Sequence, residues 1–239
     1  MSANWIVENS GIKIFELLGS NDENRITAML SLYTKFFPDH AHYASRMRRR
    51  AKLPSASREG HLVHYWLIEY QNKPVGLTTF RYISHRKCGL GIAFALDPSV
   101  RAIKTDKMPL SAFVIAQILT QLKADSKKMG NSEMLGLVTE VEHATLMERY
   151  KKLGMIELPI DYYEPIFPPE NAKNQEIKFV PVFLSIMPSP NAHYERFSVK
   201  NLTNFALAFL VDHYNLNENH IKVQEVLRKI KDNSSHMTV

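Results

Sequence analysis

The chain has 239 residues, 45% hydrophobic and 23% charged, which is the balance of a soluble globular protein with one core or one core and a small appendage. Its 30 basic and 24 acidic residues leave a net charge of +6, too diffuse to argue for nucleic acid but suited to an acidic ligand such as a nucleotide cofactor. A single cysteine, Cys88, excludes an intrachain disulfide and fits a reducing compartment. No apolar run approaches the roughly 18 residues that span a membrane, and the start MSANWIVENSGIK lacks a signal-peptide pattern. The expected location is therefore the cytoplasm.

In chain order, Ile12–Leu18 reads as a first strand, ended by Gly19, Ser20 and Asn21. Asp22 or Asn24 caps a helix running to about Phe37, with Ile26, Met29, Leu30, Tyr33 and Phe36 at helical spacing. Pro38 and Asp39 open a second helical segment that ends at Pro54. It carries the densest basic cluster of the chain, Arg46, Arg48, Arg49, Arg50 and Lys52, read as a solvated helix face. A strand pair follows: His64–Tyr70, a turn at Asn72, Lys73 and Pro74, and a return over Val75–Ile83. Cys88–Leu96 is a third strand, in which Gly89 and Gly91 mark a strand start or bulge.

Asp97–Met108 reads as a loop, and Pro109 opens a helix to about Lys128 with an apolar face of Val114, Ile115, Ile118, Leu119 and Leu122. Met134–Val138 is a buried strand. A helix then runs from near His143 to Leu153, and Gly154 supplies its left-handed cap. In that helix Ala144, Met147 and Tyr150 share one face. Ile156–Ile160 reads as a strand, Asp161–Pro169 as a proline-interrupted aromatic segment, and Asn171–Glu176 as a polar loop. Phe179–Met187 is a strong strand whose Pro181 argues for an edge or a splay. After a break at Pro188–Asn191, Ser198–Tyr214 and Glu218–Lys231 form two terminal helices, and the last residues, NSSHMTV, are frayed.

The ten histidines give no metal signature: His40 with His42, and His61 with His64, lack a third ligand at metal spacing. G-x-S-x-G, P-loop and C-x-x-C motifs are absent, so hydrolase, kinase and redox readings have no support.

The run SEMLGLVTEVEHATLMERYKKLGM, Ser132–Met155, resembles the end of the GNAT acetyltransferase fold, where a strand precedes a helix carrying a tyrosine just before K-L-G. The stretch E-Y-Q-N-K-P-V-G-L resembles that family's central hairpin, and the element order resembles a GNAT domain across about residues 12–187. The resemblance implies an α+β fold with a GNAT-like mixed central sheet flanked by helices, plus two extra C-terminal helices. It divides the chain into a domain over 1–190 and a helical extension packed on it over 191–239.

In that family the tyrosine lies beside the sulfur of coenzyme A and protonates the departing thiolate, a role that falls on Tyr150. The family's cofactor loop is Arg/Gln-x-x-Gly-x-Gly/Ala. Here Asp97-Pro98 and Arg101 align with its start, but Ala102, Ile103 and Lys104 stand where the glycines would fall. Phosphates would then be held by Arg101, Lys104 and Lys107 through charge, with backbone N–H groups at Leu110 and Ser111. The adjoining strand implies pantetheine contacts from Phe94, Ala95 and Leu96. The carboxylates Glu69, Glu140 and Glu142 are candidate bases, the last two expected on one side of a strand, and His143 is a further candidate. Tyr162, Tyr163, Pro165 and Phe167 would line the acceptor cleft.

The implied activity is acyl-CoA-dependent N-acyl transfer, with acetyl-CoA or another acyl-CoA as co-substrate and no metal. The implied partner is a small-molecule or peptide amine, with no nucleic acid and no membrane, and a homodimer left open. The alternative is an inactive GNAT-shaped binding or regulatory module, the reading that the glycine-free loop favours.

Overall fold

A computed structural model describes residues 5–53, 60–105, 108–168, 176–190 and 197–236. Pro54, Lys107, Pro169, most of the polar loop expected at Asn171–Glu176, Asn191 and the tail from Met237 lie outside these residues. The chain divides into two compact units. One comprises Met1–Tyr82 with Gly91–Asp125, and the other Ile83–Leu90 with Ser126–Val239.

The first unit opens on a hairpin that the sequence reading missed. Strands β1 (Trp5–Asn9) and β2 (Ile12–Glu16) pair antiparallel with Asn9 opposite Ile12. The two-residue turn between them holds Ser10 and Gly11 at φ 50° and 80°, the left-handed pair that a right-twisted hairpin needs. β2 pairs antiparallel with β3 (His61–Tyr70). A second turn of the same kind, Gln71 and Asn72 at φ 49° and 61°, leads into β4 (Lys73–Ile83). The turn is thus one residue earlier than expected, and Pro74 lies in the strand. Strand order in this unit is β1-β2-β3-β4-β5, where β5 is Cys88–Leu96 and contributes Gly91–Leu96.

Helix α1 (Glu23–Phe36) is capped by Asp22, whose side chain accepts from the Arg25 backbone N–H. A 3₁₀ turn at Pro38–Tyr43 leads into α2 (Ala44–Ala51). The core here joins Ile26, Met29, Leu30 and Tyr33 of α1 and Met47 and Ala51 of α2 to Phe15, Leu67, Leu77 and Ala93 of the strands. The expected loop after β5 is more ordered than its sequence suggests. A 3₁₀ turn, Pro98–Val100, is followed by two short antiparallel strands, β6 (Lys104–Thr105) and β7 (Met108–Pro109), and then α3 (Leu110–Lys128). Pro109 therefore precedes the helix rather than opening it.

The second unit is built on β8 (Gly136–Val141), which pairs antiparallel with β11 (Lys178–Pro188) from Phe183 onward. β8 begins two residues later than expected and runs three further. On its other side β11 pairs with β9 (Ile156–Glu157) and with β10 (Tyr162–Ile166). β10 corrects the expectation of an irregular segment: Pro165 lies opposite Phe179 in a regular ladder, tolerated because β10 is an edge strand. Pro181 falls where β11 has β10 on one side but has left β8, so its missing N–H breaks no ladder bond there. Helix α4 (Ala144–Lys151) starts after His143 and ends before Gly154, which has φ 93°. Helix α5 (Val199–Leu207) is capped by Ser198 and continues as a π-helical turn over Ala208–His213, and α6 (Ile221–His236) follows. Leu202, Phe205, Phe209, Val223, Val226 and Ile230 are buried along these helices.

Candidate active site

Strand register in the second unit collects acidic and phenolic groups on one face. Glu140 lies opposite Leu184, Tyr162 opposite Val182 and Glu164 opposite Val180. Residues 180, 182 and 184 of β11 share a face because strand side chains alternate, so their three partners share it too. The Tyr162 hydroxyl donates to Glu140 Oε1 at 2.6 Å. A second hydroxyl arrives from the far end of the chain: Tyr214 donates to Glu140 Oε2 at 2.6 Å and lies 3.2 Å from Glu164 Oε1. One hydroxyl has one proton, so the Glu164 contact is a hydrogen bond in the same instant only when Glu164 is protonated and donates to Tyr214.

The electrostatics raise the pKa of both carboxyl groups. Burial, with the neighbouring Glu164 charge, pushes Glu140 up to about 8, while the tyrosine hydroxyls pull in the opposite direction. Burial likewise raises Glu164, and burial beside these carboxylates lifts Tyr162 and Tyr214 well above the ordinary phenol value. Tyr214 is placed by the π-helical turn, its N–H bonding to the Phe209 carbonyl five residues back at 2.8 Å. Its ring stacks on Phe167 at 6.1 Å between centroids. A carboxyl group whose pKa lies near working pH, held between two donors, can take a proton from an incoming ammonium or amine.

The other expected site residues are distributed differently. Glu142 is not on the strand with Glu140. β8 ends at Val141, and Glu142 is exposed, contributing a like charge that raises Glu140 and Glu164. Glu69 is buried on β3 of the first unit, ion-paired to the Arg25 guanidinium at 2.9 Å. His143 is exposed at the start of α4. Tyr150 lies in the last turn of α4, and burial raises its hydroxyl pKa. Tyr163 faces away from Tyr162, with the amines of Lys222 and Lys229 over its ring at 5.4 and 5.5 Å. Glu164 and Tyr214 were missed by the sequence reading. Glu164 was signalled by its spacing two residues from Tyr162, but Tyr214 had no local signal.

In the first unit, Arg101 and Lys104 are exposed on the segment after β5, while Lys107 is outside the described residues. Arg101 Nε donates to the Leu96 carbonyl at 3.3 Å, so that carbonyl is already engaged. Phe94 and Ala95 are half-buried on β5. The Leu110 N–H, expected to face a phosphate, bonds to the Ile103 carbonyl at 3.0 Å. Ser111 is the next residue in α3 and half-buried. A pyrophosphate would thus fit the charge of Arg101 and Lys104, but it would find the first helical N–H occupied.

No protein-family model matches the chain, and no curated protein does. Solved structures do match. A protein described as a GNAT-family acetyltransferase from Bacteroides thetaiotaomicron aligns over 84% of this chain and 98% of its own, at TM-score 0.50 and 15% identity. An acetyltransferase from Salmonella typhimurium, described as modifying the N-terminal serine of ribosomal protein L7/L12, aligns over 77% of this chain and 98% of its own, at TM-score 0.50 and 13% identity. A protein from Staphylococcus epidermidis described as an acetyltransferase covers 74% and 99%, at TM-score 0.50 and 10% identity. The fold is that of the GNAT acetyltransferases. Between β5 and α3, where the sequence resemblance implies a glycine loop, the chain carries the paired strands β6 and β7 and no glycine from Asp97 to Pro109.

Proposed function

We propose that this chain is an acyl-CoA-dependent N-acyltransferase, acting on the amine of a small molecule or peptide by direct attack on the thioester. The observation that carries the reading is the Glu140 carboxyl group, held between the Tyr162 and Tyr214 hydroxyls at 2.6 Å each with its pKa raised to about 8. In this reading Glu140 accepts the proton lost by the amine as the new amide bond forms. Tyr150 gives its proton to the departing sulfur as the thioester bond breaks. Arg101 and Lys104 offer their charges to the phosphates, and no metal takes part. When bound, acyl-CoA supplies the activated acyl group.

The alternative, a GNAT-shaped module without activity, rests on a different observation: the Leu110 N–H is committed to Ile103, and no glycine opens the loop before it. Isothermal titration with acetyl-CoA and free coenzyme A separates the two. Saturable binding followed by acetylation in an amine screen supports the enzyme. No binding at millimolar ligand supports the module.

A further inference from the structure

The arginine-rich helix α2 presents Arg46 and Arg49 to solvent. Together with α1 it walls an open groove of about 460 Å³, lined by Thr27, Leu30, Ser31 and Thr34 on one side and by Ala44, Ser45, Arg48 and Arg49 on the other. We propose that this groove docks an acidic peptide segment of a partner protein. The proposal does not depend on acyl transfer.

Its two sides offer complementary chemistry. Thr27, Ser31 and Thr34 are exposed and spaced four and three residues apart, so they form one stripe along α1. The stripe is ~10 Å long at 1.5 Å per residue, a length covered by about three residues of extended chain. The Ser31 hydroxyl donates to the Thr27 carbonyl at 3.0 Å, and the Thr34 hydroxyl to the Ser31 carbonyl at 3.1 Å. With their protons committed to the helix, both exposed hydroxyls are left as acceptors, and they call for N–H donors such as those of a peptide backbone.

The α2 side calls for anions. Arg48 is pinned by Glu23 at 3.0 Å and by the Thr27 hydroxyl at 3.2 Å. Arg49 is exposed, and among the described residues it has no acidic partner. Its planar fork matches a carboxylate through two hydrogen bonds. A phosphate chain would satisfy Arg49 but present no N–H to Ser31 and Thr34. None of the eight lining residues is aromatic, which removes the stacking platform that single-stranded nucleic acid uses. An extended peptide bearing Asp or Glu supplies both chemistries.

The test is fluorescence polarisation of the full chain with a labelled, end-blocked eight-residue peptide containing four aspartates. A lysine peptide of the same length and polyphosphate of matched charge serve as competitors. The acidic peptide should bind in a salt-dependent way. Arg49→Glu should weaken it at least tenfold, and Thr34→Val should weaken it about threefold with the salt dependence unchanged. Both positions are exposed, and unchanged thermal melting of each variant shows that folding is intact. Absence of binding, equal displacement by the lysine peptide or by polyphosphate, or indifference to both substitutions would overturn the proposal.

Discussion

Tyr214 and Glu140 are 74 residues apart in sequence, and the hydroxyl of one lies 2.6 Å from the carboxyl oxygen of the other. The pairing makes the charge of Glu140 depend on the C-terminal helices as well as on its own strand. It predicts a pH signature. If Glu140 is the base, kcat/KM for acyl transfer should rise with pH through a limb near 8. Glu140→Gln should abolish the limb and lower turnover by about 100-fold or more. Tyr214→Phe removes a bond that lowers the pKa of Glu140, so the limb should move to higher pH. Glu164→Gln removes a like charge, so it should move down. A limb unmoved in both variants would separate Glu140 from the observed titration.

Tyr150→Phe should lower turnover strongly and leave acyl-CoA affinity within about threefold, since an acid for the leaving group acts on the rate and not on ground-state binding. Single-turnover rates and titration calorimetry on the same preparation measure the two effects separately. Unchanged turnover would remove Tyr150 from the mechanism.

The double variant Arg101→Ala, Lys104→Ala should weaken acyl-CoA binding by about tenfold at low salt and less at high salt, because exposed charges are screened within about 10 Å at 0.1 M ionic strength. Equal affinity in wild type and variant would show that phosphates are held elsewhere.

His64 gives a stability test independent of activity. Its ring bridges Glu16 Oε2 at 2.7 Å and Asp125 Oδ2 at 2.9 Å within the first unit. Burial alone would lower its pKa, but the bonds to Asp125 and Glu16 outweigh burial and raise it from 6.5 to about 9. A raised folded-state pKa means stability fully present below about 6.5 and lost as pH rises through 9. Denaturant melts at pH 6 and pH 9.5 should show that loss in the wild type. His64→Leu leaves two carboxylates without their cation, and it should cost about 3–5 kcal/mol at pH 6 with much less dependence on pH over this window.

Gly76 tests the packing of β4 on β5. A Cβ there would come within 2.7 Å of the Ala95 carbonyl oxygen and 2.5 Å of Leu96 Cδ2. Gly76→Ala should destabilise by about 1–3 kcal/mol, read as a lower denaturation midpoint. An unchanged midpoint would mean that the strands separate there at little cost.

Much of this fold was readable because local signals agreed. Asp22 before a 3.6-residue apolar period fixed α1, and the V-G after a short turn marked β4. β10 was lost because Pro165 counts against a strand in sequence, and only the edge position of β10 removes that objection. Glu142 was placed beside Glu140 because period-two alternation was carried one residue past the end of β8. The β6–β7 hairpin stayed hidden because two-residue strands leave no periodicity. Within the carboxylate cluster Glu140 was a legible candidate, since it lies on a strand next to the tyrosine helix. Tyr214 was not legible, because nothing between residues 140 and 214 states that they meet.

The π-helical turn at Ala208–His213 makes the pitch of this helix a chemical variable. Such a turn carries a wider hydrogen-bonded loop than the α-helix around it, in effect one residue more. Each residue of an α-helix advances the chain by about 100° of rotation. Wound at regular α pitch over the same number of residues, the segment would turn Tyr214 by about that angle, taking its hydroxyl away from Glu140. The winding of a C-terminal helix is thereby tied to the proton balance of a carboxyl group on a distant strand.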